Sequence, residues 1–181
     1  MDELVAGCLK NDRKAQRDLY NLFAPSMLGV CSRYTRTKEE AEDIMIEGFL
    51  RVFQKIGSYR HECSLSSWIQ SIMVNVSIDH YRVNLKHLKD ETIEEETLLV
   101  QGVHDSDEQI LTKLEAKQVL GILAQMPEEY RIIFNLRVME EHSFKEIAQE
   151  LDRNENTVRV YFQRGRTWLQ TRIQEEEGKI K

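Results

Sequence analysis

The chain has 181 residues, 41% of them hydrophobic and 31% charged, and carries a net charge of −6. That length suits one domain or two small ones with modest cores, and no run approaches the roughly 18 apolar residues of a membrane span, so membrane insertion is not expected. The acidic balance excludes a protein that merely coats DNA; a DNA-binding surface here must be local or shared with a partner.

Residues 3–86 read as an all-helical block. The opening MDELVAG carries acid and no long apolar run, so no secretion signal is expected. Cys8, Cys31 and Cys63 stand apart without a CxxC pair, which suits a reduced compartment, so the expected location is cytoplasmic. Segment 12–35 has apolar positions Leu19, Leu22, Phe23, Leu28 and Val30, and Pro25 within it predicts a kink or a break.

The helix expected over 38–56 buries Ala41, Ile44, Met45, Gly48, Phe49, Val52, Phe53 and Ile56 as one stripe. A second row at helical spacing, Asp43, Ile46, Glu47, Leu50 and Gln54, points elsewhere. Apolar residues flanked by acids suit docking of a basic, amphipathic partner; cover by a neighbouring helix is the alternative.

A loop opened by Gly57 presents Tyr59, Arg60 and His61. An aromatic beside an Arg can stack on an unstacked base and hold its phosphate, or Tyr59 can simply anchor the loop. The next helix, 64–86, buries Leu65, Trp68, Ile69, Ile72 and Val76 and places Asn75, Asp79 and Arg82 on a polar face. His61 and Cys63 without a second pair make no metal site, and no catalytic constellation or cofactor motif stands out, so neither enzyme activity nor cofactor is expected.

Between 90 and 108 there are eight acids and no Lys or Arg, a solvated linker or a segment that repels DNA. Residues 109–176 read as helical again, with breaks at Pro127, at 139–142 and at 152–154. Ser143 and Glu146 form a capping box, and a short helix with Phe144, Ile147, Ala148 and Leu151 on one face follows. Asn154 is expected to cap the next helix. That helix buries Val158, Tyr161, Phe162, Gly165, Trp168 and Leu169, and opposes to them Asn156, Arg159, Gln163 and Arg166, with Arg164 at the flank. Two short helices, a tight turn and a basic outer face describe a helix-turn-helix whose second helix enters the major groove. Packing in a bundle, or against an acidic protein, is the alternative.

Residues 41–53 (AEDIMIEGFLRVF), 64–82, 126–131 (MPEEYR), 143–148 (SFKEIA) and 156–166 (NTVRVYFQRGR) resemble, in that order, the bacterial RNA polymerase sigma factors of the sigma-70 family, in the extracytoplasmic-function (ECF) group. The resemblance implies an all-α fold: two small helical domains, 1–88 and 109–181, joined by the acidic linker 89–108, the second a winged-helix-like helix-turn-helix. It implies binding to core RNA polymerase through Asp43, Ile46, Glu47, Leu50 and Gln54, which match the surface that meets the clamp helices of the largest subunit. It implies capture of a flipped base of the minus-ten promoter element near Tyr59, Arg60, His61, Asn75 and Arg82. Reading of the minus-thirty-five element falls to Asn156, Arg159, Val160, Gln163, Arg164 and Arg166. An anti-sigma protein is the implied inhibitor. The family's basic residues near 71, 74 and 83 are replaced here by Ser71, Val74 and Val83, and Asp152 stands where Gly is frequent. A plain helix-turn-helix regulator and a sigma-like adaptor are the competing readings.

Overall fold

The structure, a computed structural model, describes residues 1–88 and 116–179. The acidic linker predicted at 89–108 lies outside them. The chain divides into two compact units, Met1–Val83 and Asn84–Lys181. All regular structure among the described residues is helical.

The first unit holds α1 (Asp2–Leu9), α2 (Arg13–Ser32), α3 (Lys38–Lys55), a 3-10 turn at Ile56–Ser58 and most of α4 (Leu65–Leu88). Caps set where the helices begin. Asp12 accepts a hydrogen bond from the Lys14 backbone N–H at 2.9 Å. Thr37 and Glu40 form a reciprocal capping box at the start of α3, which satisfies two of its otherwise unpaired N–H groups. Ser64 accepts from the Ser67 N–H at 3.0 Å at the start of α4.

Of the kink or break expected at Pro25, the break does not occur: α2 runs through it from Arg13 to Ser32. Proline removes one backbone bond, here to the Asn21 carbonyl. Asn21 and Pro25 are both exposed, so water can meet that carbonyl. On the other side Leu19, Phe23, Met27 and Val30 are buried and hold the helix to its neighbours, while Leu22 is left exposed.

α3 lays Ala41, Ile44, Met45, Phe49 and Val52 into the core as the spacing predicts. Gly48 packs against Met73 of α4: a Cβ there would overlap the Met73 thioether. α4 buries Leu65, Ile69, Ile72, Met73 and Val76; cutting one such side chain to Ala costs about 2–5 kcal/mol. Trp68 is only half-buried, and Val74 and Ile78, on the other side of the helix, are buried as well, so its buried surface is wider than one stripe.

The second unit contains α5 (Ala116–Gln125), α6 (Glu128–Val138), α7 (Phe144–Glu150) and α8 (Glu155–Lys179). The breaks fall where Pro127, residues 139–142 and residues 152–154 predict them. Phe134 stacks on Phe162 at 6.1 Å, and Phe144 meets Phe162 edge-on at 5.4 Å. These rings tie α6 and α7 to α8. Buried Arg131 donates to the Ala124 carbonyl at 3.3 Å, joining α6 to the end of α5.

Candidate functional site

The outward row of α3 is open. Ile46 is 52% and Leu50 57% exposed, and Asp43 and Gln54 are exposed beside them. No neighbouring helix among the described residues covers the row. Glu47 differs from the others. Its Oε2 lies 2.8 Å from His80 Nε2 on α4, and its Oε1 accepts from Arg51 at 2.5 Å. Arg51 also pairs with Asp79 at 2.6 Å, and Asp79 with Arg82 at 3.3 Å. Five charged or ionisable groups thus join the outward row of α3 to the polar face of α4. The His80 hydrogen bond and the Arg51 guanidinium hold the Glu47 carboxyl below its ordinary range. Arg51 and His80 escaped the sequence reading because their partners lie 28 and 33 positions away.

The loop before α4 is folded onto that helix. Tyr59 packs on Trp68 at 5.5 Å and on His61 at 4.5 Å, and its hydroxyl donates to the Cys63 carbonyl at 2.8 Å. Tyr59 is therefore a loop anchor, half-buried, and its position beside Trp68 brings the loop to the helix face that carries Ser71, Asn75 and Arg82 at helical spacing. His61 adopts a left-handed backbone (φ 61°). Arg60 and Asn75 are exposed, and Arg82 is half-buried beside Asp79. Of the positions where the resemblance implies basic residues, Val74 is buried, while Ser71 and Val83 are exposed.

In the second unit the capping box at Ser143 forms as predicted, with the Glu146 N–H donating to Ser143 Oγ at 3.2 Å and the Ser143 N–H to Glu146 Oε2 at 2.8 Å. Those bonds hold the Glu146 carboxyl below its ordinary range. Asp152 supplies the left-handed residue of the turn (φ 50°), a conformation Asp tolerates better than most residues. Asn154 Oδ1 then accepts the Asn156 N–H at 2.8 Å.

The face of α8 opposite its core is less open than its sequence suggests. Asn156 is exposed, but Arg159, Val160, Gln163, Arg164 and Arg166 are all half-buried. Arg159 is bound to Glu155 and stacked on Phe144. Gln163 Nε2 is sealed from solvent without a hydrogen-bond partner. Arg172 pairs with Glu175 at 2.7 Å and lies over Trp168. On the core side Val158, Phe162, Gly165 and Leu169 are buried, whereas Tyr161 and Trp168 are half-buried. No group of three or more potential metal ligands occurs among the described residues.

A helical domain with an outward apolar-acidic row, followed by a helix-turn-helix, defines a DNA-binding protein built to dock on a partner. Comparison with known proteins gives the family. The model described as Sigma-70 region 2 matches residues 19–86, and that described as Sigma-70, region 4 matches residues 116–169. The chain is 27% identical to the ECF RNA polymerase sigma factor SigW of Bacillus subtilis over 177 residues, 92% of each chain. It is 26% identical to the ECF RNA polymerase sigma-E factor of Haemophilus influenzae, over 94% of each chain. Among solved structures, CnrH in complex with the cytosolic domain of CnrY aligns at a TM-score of 0.47 and 14% identity, covering 95% of this chain and 96% of that one. The chain belongs to the sigma-70 family of RNA polymerase sigma factors, in the ECF group. It works as a transcription initiation factor that directs core RNA polymerase to promoters.

Proposed function

We propose that the α3 row Asp43, Ile46, Glu47, Leu50 and Gln54 is the polymerase-docking surface. The observation that carries this is the exposure of Ile46 and Leu50 on an otherwise core-forming helix. Exposed apolar side chains ringed by carboxylates suit a basic, amphipathic helical partner, and the clamp helices of the polymerase are that partner. The same row needs cover when polymerase is absent, which suits inhibition by an anti-sigma protein.

The loop residues Tyr59, Arg60 and His61, with Asn75 and Arg82 on α4, take the minus-ten strand. Arg60 and Asn75 are exposed, and the half-buried rings of Tyr59 and Trp68, packed on each other, offer aromatic surface in the same loop and helix; base–aromatic stacking is worth about 1–3 kcal/mol per base. Asn156, Arg159, Val160, Gln163, Arg164 and Arg166 on α8 read the minus-thirty-five duplex. The residues at 89–108 tether a domain spanning 1–88 to one spanning 109–181, so each weak contact raises the effective concentration of the other. The chain contributes binding and strand capture and no bond-making chemistry, so it is not an enzyme. Its place of work is the cytoplasm, with the polymerase; no helix among the described residues is long and apolar enough to cross a membrane.

The test is run-off transcription from genomic promoters with purified core polymerase. The wild-type chain is expected to support specific transcripts, and Ile46→Ala with Leu50→Ala to lose them while keeping its helicity. Unchanged transcription from the double variant removes the docking assignment, and no transcript with the wild type points to an adaptor.

A further inference from the structure

Arg159 does not project freely from α8. Its Nε and Nη2 both donate to Glu155 Oε1, at 3.1 and 2.6 Å, and its guanidinium carbon lies 4.6 Å from the centre of the Phe144 ring on α7. Phe144 is buried and itself wedged edge-on against Phe162, so the ring is a fixed floor. Two side chains from α8 and one from α7 therefore hold a single arrangement. It leaves a defined remainder: the Nη1 edge of Arg159 and the Oε2 of Glu155 make no hydrogen bond. The two side chains are 37% and 41% exposed.

An acid in the first turn of a helix that pairs with a base four residues on has an ordinary explanation. It complements the helix dipole and adds a modest ion pair. Two features go beyond that. The arginine is stacked on a buried ring from another helix, which a solvated surface pair does not require. The acid also sits in the first turn of the helix proposed above to read duplex DNA, and in a groove between two rows of phosphate an unmatched carboxylate would repel DNA. A carboxylate in that place is tolerated when it meets a donor, and the groove offers the cytosine N4 amino group. The outward edge of an arginine matches guanine O6 and N7.

We propose that Glu155 and Arg159 read promoter DNA as one pre-set pair, Arg159 taking a guanine through its Nη1–Nη2 edge and Glu155 the amino group of a cytosine within one base step of it. Phe144 is the positioning residue that fixes Arg159. The proposal rests on the reading of α8 as the duplex-reading helix and adds to it a specificity-determining acid. It also explains why Arg159 stays paired: an arginine already held in one geometry discriminates between bases instead of wandering to the nearest phosphate.

The experiment is selection from promoter libraries randomised in the upstream element, using the full chain with core polymerase. The wild type is expected to enrich a guanine with a cytosine within one step of it. Glu155→Gln and Glu155→Ala are expected to lower the cytosine preference by about 5- to 150-fold, the span of one mismatched base pair, to relax the guanine position that Glu155 holds through Arg159, and to leave positions outside that step as they are. Phe144→Leu is expected to relax the guanine position, with Phe144→Tyr, which keeps the ring, restoring it. Should the Glu155 variants select the wild-type sequence at every position, the carboxylate serves only the helix and the proposal is overturned. A wild-type chain that selects no upstream sequence at all is a different result: it removes the assignment of α8 itself, and the pair with it.

Discussion

Glu47 on α3 and His80 on α4 face each other across the first unit, with Glu47 Oε2 2.8 Å from His80 Nε2. The carboxylate proposed for polymerase docking is therefore also a strut between two helices. Its second oxygen holds Arg51, which reaches Asp79 and through it Arg82. The proposed docking row and the proposed minus-ten face share one charge network, and a substitution at Glu47 acts on both.

The network gives the first prediction, in pH. The Glu47 carboxyl is held below its ordinary value of 4.5, chiefly by the His80 hydrogen bond and then by Arg51. A depressed carboxyl contributes stability that is present above its unfolded pKa and is lost as pH falls through the folded one. Glu47→Gln should therefore have a lower urea midpoint than the wild type at neutral pH, and the gap should close as pH drops from about 5 through the carboxylate range. Parallel curves across that range would show that the strut is electrostatically silent.

The second prediction separates docking from folding. Ile46 and Leu50 are more than half exposed and belong to no buried cluster. Replacing both with Ala is expected to change stability by no more than about 0.5 kcal/mol each, while weakening polymerase binding in a pull-down or titration by at least about tenfold, as loss of an apolar anchor does. Glu47→Lys is a poorer probe, because it also places a cation beside Arg51 and His80. Stability falling in step with binding would mean that these side chains are core after all.

The third concerns the α3–α4 contact. A Cβ on Gly48 would run into Met73, whose side chain is fully buried and would have to shift. Gly48→Ala gains helix propensity of up to about 1 kcal/mol but overpacks the core at about 1–3 kcal/mol. The net expectation is destabilisation, read as a lowered denaturation midpoint. Met73→Ala in the same chain should restore part of it, and a Gly48→Ala chain more stable than wild type would show that Met73 moves aside at no cost.

Much of this was legible because it is local. The Ser143 capping box, the Asn154 cap and the three breaks in the second unit each depend on residues within four positions of one another, and all three helix starts and stops fall where those residues put them. Thr37 and Glu40 carry the same local signal for the start of α3. The α3 stripe and its outward row follow from spacing alone. What depends on distant residues was hidden. The bonds from Glu47 and Arg51 to α4 and the Phe144 floor under Arg159 join positions 15 to 33 apart. Pro25 does not break α2 because the cost of one missing bond is offset by the four apolar side chains that hold the helix in place, and those belong to packing with other helices. The arginines of α8 are a different case: a count of charges does not show which are already paired.

That pairing yields the last prediction. Binding to duplex of any sequence is driven by neutralising phosphates, and the log–log salt slope changes by about 0.9 for each phosphate met. Arg159 spends two of its donors on Glu155, so it is withheld from phosphates by an acid of its own helix. Glu155→Gln keeps the side chain's length and removes the charge that restrains Arg159. The full chain carrying this substitution is expected to bind non-promoter duplex more tightly at low salt, with a slope steeper by about 0.9, while losing discrimination among promoter sequences. Tighter but less selective binding is the signature of an arginine released from a reading position to the backbone. A slope unchanged from wild type would show that Arg159 reaches phosphate even while paired, and that Glu155 places no restraint on it.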